Sequence, residues 1–144
     1  MSAEIPAVNV GEVMHRGVIA TPPQTPVLEV AERMARNRVH CVVVEGLARD
    51  DSNQERLVWG ILSDLDLMKA ISAGRSDATA GEIAASEIVT VDPSEGIEEV
   101  ARLMAEHEVS HLVVADRSSG EPVGVISSLD VAQGITVARN LQVG

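Results

Sequence analysis

The chain contains the same segment twice, which constrains its fold more than any single residue does. Val10–Gly46 aligns with Ala80–Asp116 at a constant offset of 70 residues and without a gap, and eleven of these 37 pairs are identical. Gly11/Gly81, Pro23/Pro93, Val30/Val100, Met34/Met104 and Val44/Val114 are among them. A second block, Gly60-Ile61-Leu62-Ser63-Asp64-Leu65-Asp66, matches Gly124-Val125-Ile126-Ser127-Ser128-Leu129-Asp130 at an offset of 64. The six-residue difference falls in the polar stretch Leu47–Arg56, which reads as a longer loop in the first copy. Such a duplication predicts two copies of one supersecondary unit, related by a pseudo-twofold and carrying two related clefts.

Within each copy the pattern reads β-α-β-β-α. Val18–Thr21 and Ile88–Val91 are short apolar segments stopped by prolines. Val27, Val30, Ala31, Met34 and Ala35 have the spacing of a buried helical stripe, as do Ile97, Val100, Ala101, Met104 and Ala105. Ser94 is a candidate cap for the second of these helices. Strands follow at Cys41–Val44 and Leu112–Val114, then at Leu57–Leu62 and Pro122–Ile126. Closing helices begin after Ser63 and Ser127 and run toward Ile71 and Ala138. The fold class is α/β (α+β): two β-α-β-β-α repeats over residues 8–71 and 80–138, each a small sheet with two helices. Residues 72–79 form a linker, and residues 1–9 and 140–144 are loose ends.

Composition narrows the function classes. A net charge of −11 disfavours nucleic acid and anionic membranes as partners, since both require basic surface. The single Cys41 excludes an internal disulfide framework and fits a reducing compartment. No apolar run approaches a membrane span, and a cytoplasmic location is expected. His40 and Cys41 are adjacent on a strand and point to opposite faces, so they do not share an ion, and no metal site is expected. No nucleophile–base arrangement is legible, so the chain is not expected to be an enzyme.

The chemistry concentrates in Gly-aliphatic-aliphatic-Ser-x-x-Asp, present in both copies. One reading is purely structural: Ser and the acid three residues on form a capping box at a helix start, and Gly permits two chains to approach. The other uses the same geometry for a ligand. A helix N-terminus suits phosphate, a Ser hydroxyl adds a contact, and an Asp one turn in accepts from ribose hydroxyls.

With GILSDLD and GVISSLD, helices LEVAERMARNRV and IEEVARLMAEHEV, and strands HCVVVEG and SHLVVAD, the chain resembles a tandem pair of CBS domains, a Bateman module, over roughly residues 8–138. That resemblance implies a stand-alone regulatory module that binds an adenosyl ligand (AMP, ADP, ATP or S-adenosylmethionine) in clefts between repeats and signals by conformational change. The alternative is a structural dimerisation module with no ligand. It further implies that Asp66 and Asp130 take ribose and that Ser63 and Ser127 take phosphate. Backbone and apolar contacts would come from the other repeat: Asp130 and Ser127 would pair with Ile19, Ala20 and His40, and Asp66 and Ser63 with Val89, Thr90 and His111. A homodimer is expected, and a regulated partner protein is possible within this reading. Basic residues near the motifs are few (Arg16, Arg38, Lys69, Arg75, His111), so a low-charge ligand such as AMP is favoured over ATP.

Overall fold

The computed structural model describes residues 7–49, 55–84 and 90–143. In chain order the elements are α1 (Val10–Val13), β1 (His15–Arg16), β2 (Ala20–Thr21), α2 (Val27–Asn37), β3 (Cys41–Arg49), β4 (Glu55–Ser63), α3 (Asp64–Ser72), α4 (Ala80–Ile83), β5 (Thr90–Val91), α5 (Ile97–His107), β6 (His111–Ala115), β7 (Pro122–Ser127) and α6 (Ser128–Val143). They gather into two compact units. One is Ile19–Ile88; the other joins Met1–Val18 to Val89–Gly144. The repeats divide the chain by sequence and the units divide it by packing, and the two divisions have different boundaries.

In the Ile19–Ile88 unit, β2, β3 and β4 form one sheet. β2 lies parallel to β3 (Ala20 opposite Val43), so the chain must cross over between them, and α2 makes that crossover. Val27, Val30 and Met34 of α2 are buried against Val42, Val44, Leu62 and Leu67. Ala31 is only half-buried and Ala35 is exposed, so the buried stripe is narrower than the periodicity predicts. Within the linker 72–79 Ala78 joins the core, with Ala80 just beyond it; the Ala78 carbonyl accepts the Val27 N–H, and the Ala80 N–H donates to the Thr25 carbonyl.

The other unit repeats the plan with one more strand. Its sheet runs β1-β7-β6-β5, and α5 crosses over between parallel β5 and β6. Ile97, Val100 and Met104 meet Leu112, Val114, Ile126 and Val131, and Val10 of α1 is buried with them. Asn9 closes a capping box with Glu12 at the start of α1, and Val8 and Asn9 bond to the 96–97 turn, so residues 8 and 9 are not loose.

Three further expectations are corrected. β3 and β4 pair as far as Arg49 opposite Glu55, so Leu47–Arg49, Glu55 and Arg56 of the expected loop are a hairpin extension, and residues 50–54 lie outside the described residues. A backbone ladder needs no apolar side chains, so polarity misled the sequence reading. α5 begins after Gly96 without a side-chain cap. Ser94 instead donates its backbone N–H and hydroxyl to Asp92 two residues earlier, and Asp92 also accepts the Arg117 N–H at 2.8 Å. Those bonds, Ser94's foremost, hold the Asp92 carboxyl down at about 2. Finally, α6 continues past Ala138 to Val143.

Candidate functional site

Each Ser–Asp motif sits where a strand turns into a helix. In the Ile19–Ile88 unit, β4 ends at Ser63, which caps α3. The Asp66 N–H donates to Ser63 Oγ at 3.2 Å, while Asp66 Oδ2 accepts the Ser63 N–H at 2.9 Å and its hydroxyl at 3.0 Å. In the other unit β7 ends at Ser127. The Asp130 N–H donates to Ser127 Oγ at 3.1 Å and Asp130 Oδ2 accepts the Ser127 N–H at 2.8 Å. Both copies therefore build the capping box that the sequence allows. The acids differ in environment: Asp66 is half-buried, and Asp130 is only 5% exposed.

The remaining candidates take unequal places. Within the Ile19–Ile88 unit, the Ile19 carbonyl accepts the Val43 N–H at 2.9 Å, and its side chain packs on the core. The Ala20 carbonyl accepts from Arg33 at 3.4 Å. His40 lies beside the motif, but its Nδ1 is 3.0 Å from Asp64 rather than turned to Asp66. Its carbonyl receives the Asp64 N–H at 2.8 Å, which tethers the start of α3 to the start of β3. In the other unit His111 stands opposite Ser127 in the ladder, so the two side chains share a face. His111 Nδ1 is 3.0 Å from the Ser110 hydroxyl. Thr90 is exposed on β5 opposite Val113. Val89 lies outside the described residues.

Two participants escaped the sequence reading. His15, on β1, places Nε2 at 2.9 Å from Asp130 Oδ1. The legible signal was a break in the repeat: the residue aligned with His15 is Ala85. Arg33 donates to Thr21 Oγ1 at 3.0 Å, and Thr21 and Thr25 share a buried hydroxyl contact of 2.6 Å that fixes the segment after Ala20. The aligned residues Leu103, Val91 and Glu95 show that this network is peculiar to one copy.

Gly124 has a structural duty. A Cβ there would stand 2.4 Å from the His15 carbonyl oxygen, so the glycine admits β1 rather than an open approach to the backbone. A cavity of about 300 Å³ opens between α1 and α6, walled by Val8, Val13, Val137 and Ala138 and edged by Glu12, Gln133 and Asp130. Among the described residues no group of three or more His, Cys, Asp or Glu is arranged to hold a metal ion. No described helix is long and apolar enough to cross a membrane.

Comparison with known proteins gives the same pattern a family. The model of the CBS domain matches twice, at residues 10–73 and 80–136. An uncharacterized protein of Methanopyrus kandleri is 27% identical over 130 residues, 88% of this chain and 62% of the relative; the chain thus spans under two thirds of that protein's length. Hypoxic response protein 1 of Mycobacterium tuberculosis is 29% identical over 125 residues, covering 85% of this chain and 81% of the relative. Among solved structures, a CBS domain protein from Pyrobaculum aerophilum complexed with AMP is 28% identical. It superposes with a TM-score of 0.71 over 90% of this chain and 99% of that one. A CBS domain pair in complex with 5′-methylthioadenosine and S-adenosylmethionine shares the fold at TM-score 0.76 and 21% identity, covering 92% of this chain and 98% of that one.

Proposed function

The chain belongs to the CBS domain family, and from that premise we propose that it is a regulatory Bateman module that binds an adenosyl ligand at its Ser–Asp motifs. The observation that carries this reading is the duplicated turn. Two separate units each end a strand in a Ser, cap a helix with it, and set an Asp one turn in. Asp66 spends only Oδ2 on the cap, and among the described residues its Oδ1 accepts no hydrogen bond, leaving an acceptor for a ribose hydroxyl. The AMP complex of the Pyrobaculum relative supports the ligand class. Ser63 and Ser127 take phosphate, and His40 and His111 flank the motifs. The ligand acts by shifting a conformational equilibrium that a partner protein reads, with no chemical step in the module itself. With a net charge of −11 each added phosphate is penalised, and Arg33, Arg36, Arg75, Arg102 and Arg117 are already paired with acids. AMP therefore binds more tightly than ATP. The protein acts as a homodimer in the cytoplasm, where the thiol of Cys41 stays reduced.

The second reading, a structural dimerisation module without ligand, is favoured by one observation: both caps are complete without any ligand. A thermal-shift panel of AMP, ADP, ATP, S-adenosylmethionine and NAD decides between them, because a ligand that binds only the native state must raise the melting temperature. A rise with AMP that disappears in Asp66→Ala and Asp130→Ala together supports the adenosyl module. No rise with any compound supports the structural one.

A further inference from the structure

We propose that the two Ser–Asp motifs are inequivalent, and that His15 lowers the affinity of the Asp130 motif by occupying the carboxylate oxygen its ligand needs; this rests on the reading of Asp66 and Asp130 as ribose acceptors. Each oxygen of Asp130 already faces a donor. Its Oδ2 accepts the Ser127 N–H at 2.8 Å, and its Oδ1 lies 2.9 Å from His15 Nε2. The Asp66 carboxylate places both its cap contacts on Oδ2.

His15 is held there by its backbone. β1 pairs antiparallel with β7, His15 opposite Val125 and Arg16 opposite Gly124, and the Gly17 N–H donates to Val123 at 2.9 Å. The side chain is less restrained. His15 is 78% exposed while its acid is 5% exposed, so the imidazole reaches from solvent to a buried carboxylate. The residue aligned with His15 in the other copy is Ala85, whose side chain carries no donor. A ribose hydroxyl donating to Asp130 Oδ1 competes with an N–H already there, whereas one donating to Asp66 Oδ1 meets no competitor among the described residues. An exposed imidazole swings aside at modest cost, so the penalty is roughly two- to fivefold in affinity. The Asp66 motif fills first.

The test is calorimetric titration of the full chain with AMP in five proteins: the unaltered chain, Asp66→Asn and Asp130→Asn, and each of these two with His15→Ala added. Asp66→Asn should remove the tighter site. Adding His15→Ala to Asp66→Asn should tighten the remaining site roughly two- to fivefold, while His15→Ala added to Asp130→Asn should leave that protein's site unchanged. Unchanged or weakened binding on adding His15→Ala to Asp66→Asn overturns the role of His15 while leaving the adenosyl reading intact. Absence of AMP binding in the unaltered chain and in every variant sinks the adenosyl reading and this inference with it. A ligand-free check stands beside it: the imidazole nitrogen shifts of His15 should move in Asp130→Asn and not in Asp66→Asn. Shifts that ignore Asp130→Asn show that the contact is not made in solution.

Discussion

At the scale of single residues, Gly124 has one determinate meaning. The atom nearest an added Cβ is the His15 backbone oxygen at 2.4 Å, and a carbonyl in a ladder cannot rotate away as a side chain can. Gly124→Ala should therefore push β1 off β7 and cost about 1–3 kcal/mol, read as a lower midpoint in chemical unfolding. It should also release the His15 contact and so raise AMP affinity at the Asp130 motif even as stability falls. Asp92 supports a pH prediction. Its carboxyl is held at about 2 by Ser94 and Arg117, against an ordinary value of 3.8. A depressed carboxyl stabilises the fold above the unfolded value and loses that contribution as pH falls through the folded one. Between about pH 4 and pH 2 the tether between residues 92 and 117 should loosen. Asp92→Asn should remove that part of the acid dependence, measured by unfolding midpoints across the range. Sequence likeness made Ser63, Asp66, Ser127 and Asp130 legible because both copies carry them. His15 was not legible in that way, since its importance lies in having no counterpart.

At the scale of elements, the two long helices end alike. Arg38 and Glu108, 70 residues apart, both adopt left-handed backbone with φ of 54°, and Val39 and Val109 donate back to Met34 and Met104 at 3.1 and 3.0 Å. This is the Schellman closure, which glycine fills without a Cβ penalty. Arg38→Gly and Glu108→Gly should each raise stability by about 0.5–1 kcal/mol, since neither side chain makes a helix interior contact to lose. Thermal melts of both variants check it. Elements with a strong apolar period, α2 and α5, were readable in advance because burial imposes that period. α1 and α4 were not, because a four-residue helix shows no period. The hairpin beyond Gly46 was not, because its pairing is backbone to backbone.

At the scale of the whole molecule, exposed apolar side chains supply the surface that the proposed homodimer requires. Leu65, Met68 and Ile71 lie three residues apart along α3 and are 58%, 53% and 46% exposed, while α6 exposes Leu129 and Val137 at 63% and 57%. Met68→Asp should convert a dimer into a monomer in sedimentation at micromolar concentration with little loss of monomer stability. A variant that stays dimeric removes α3 from the interface. The order in which the chain is made carries a different consequence. The Ile19–Ile88 unit is continuous and can close as soon as its last residue is available. The unit containing His15 cannot: β1 waits for a strand more than a hundred residues later. A chain shortened from its first residue through Val18 should thus spare the unit that follows directly and damage the one farthest away. A cargo fused ahead of α1 should be felt at Asp130 before it is felt at Asp66.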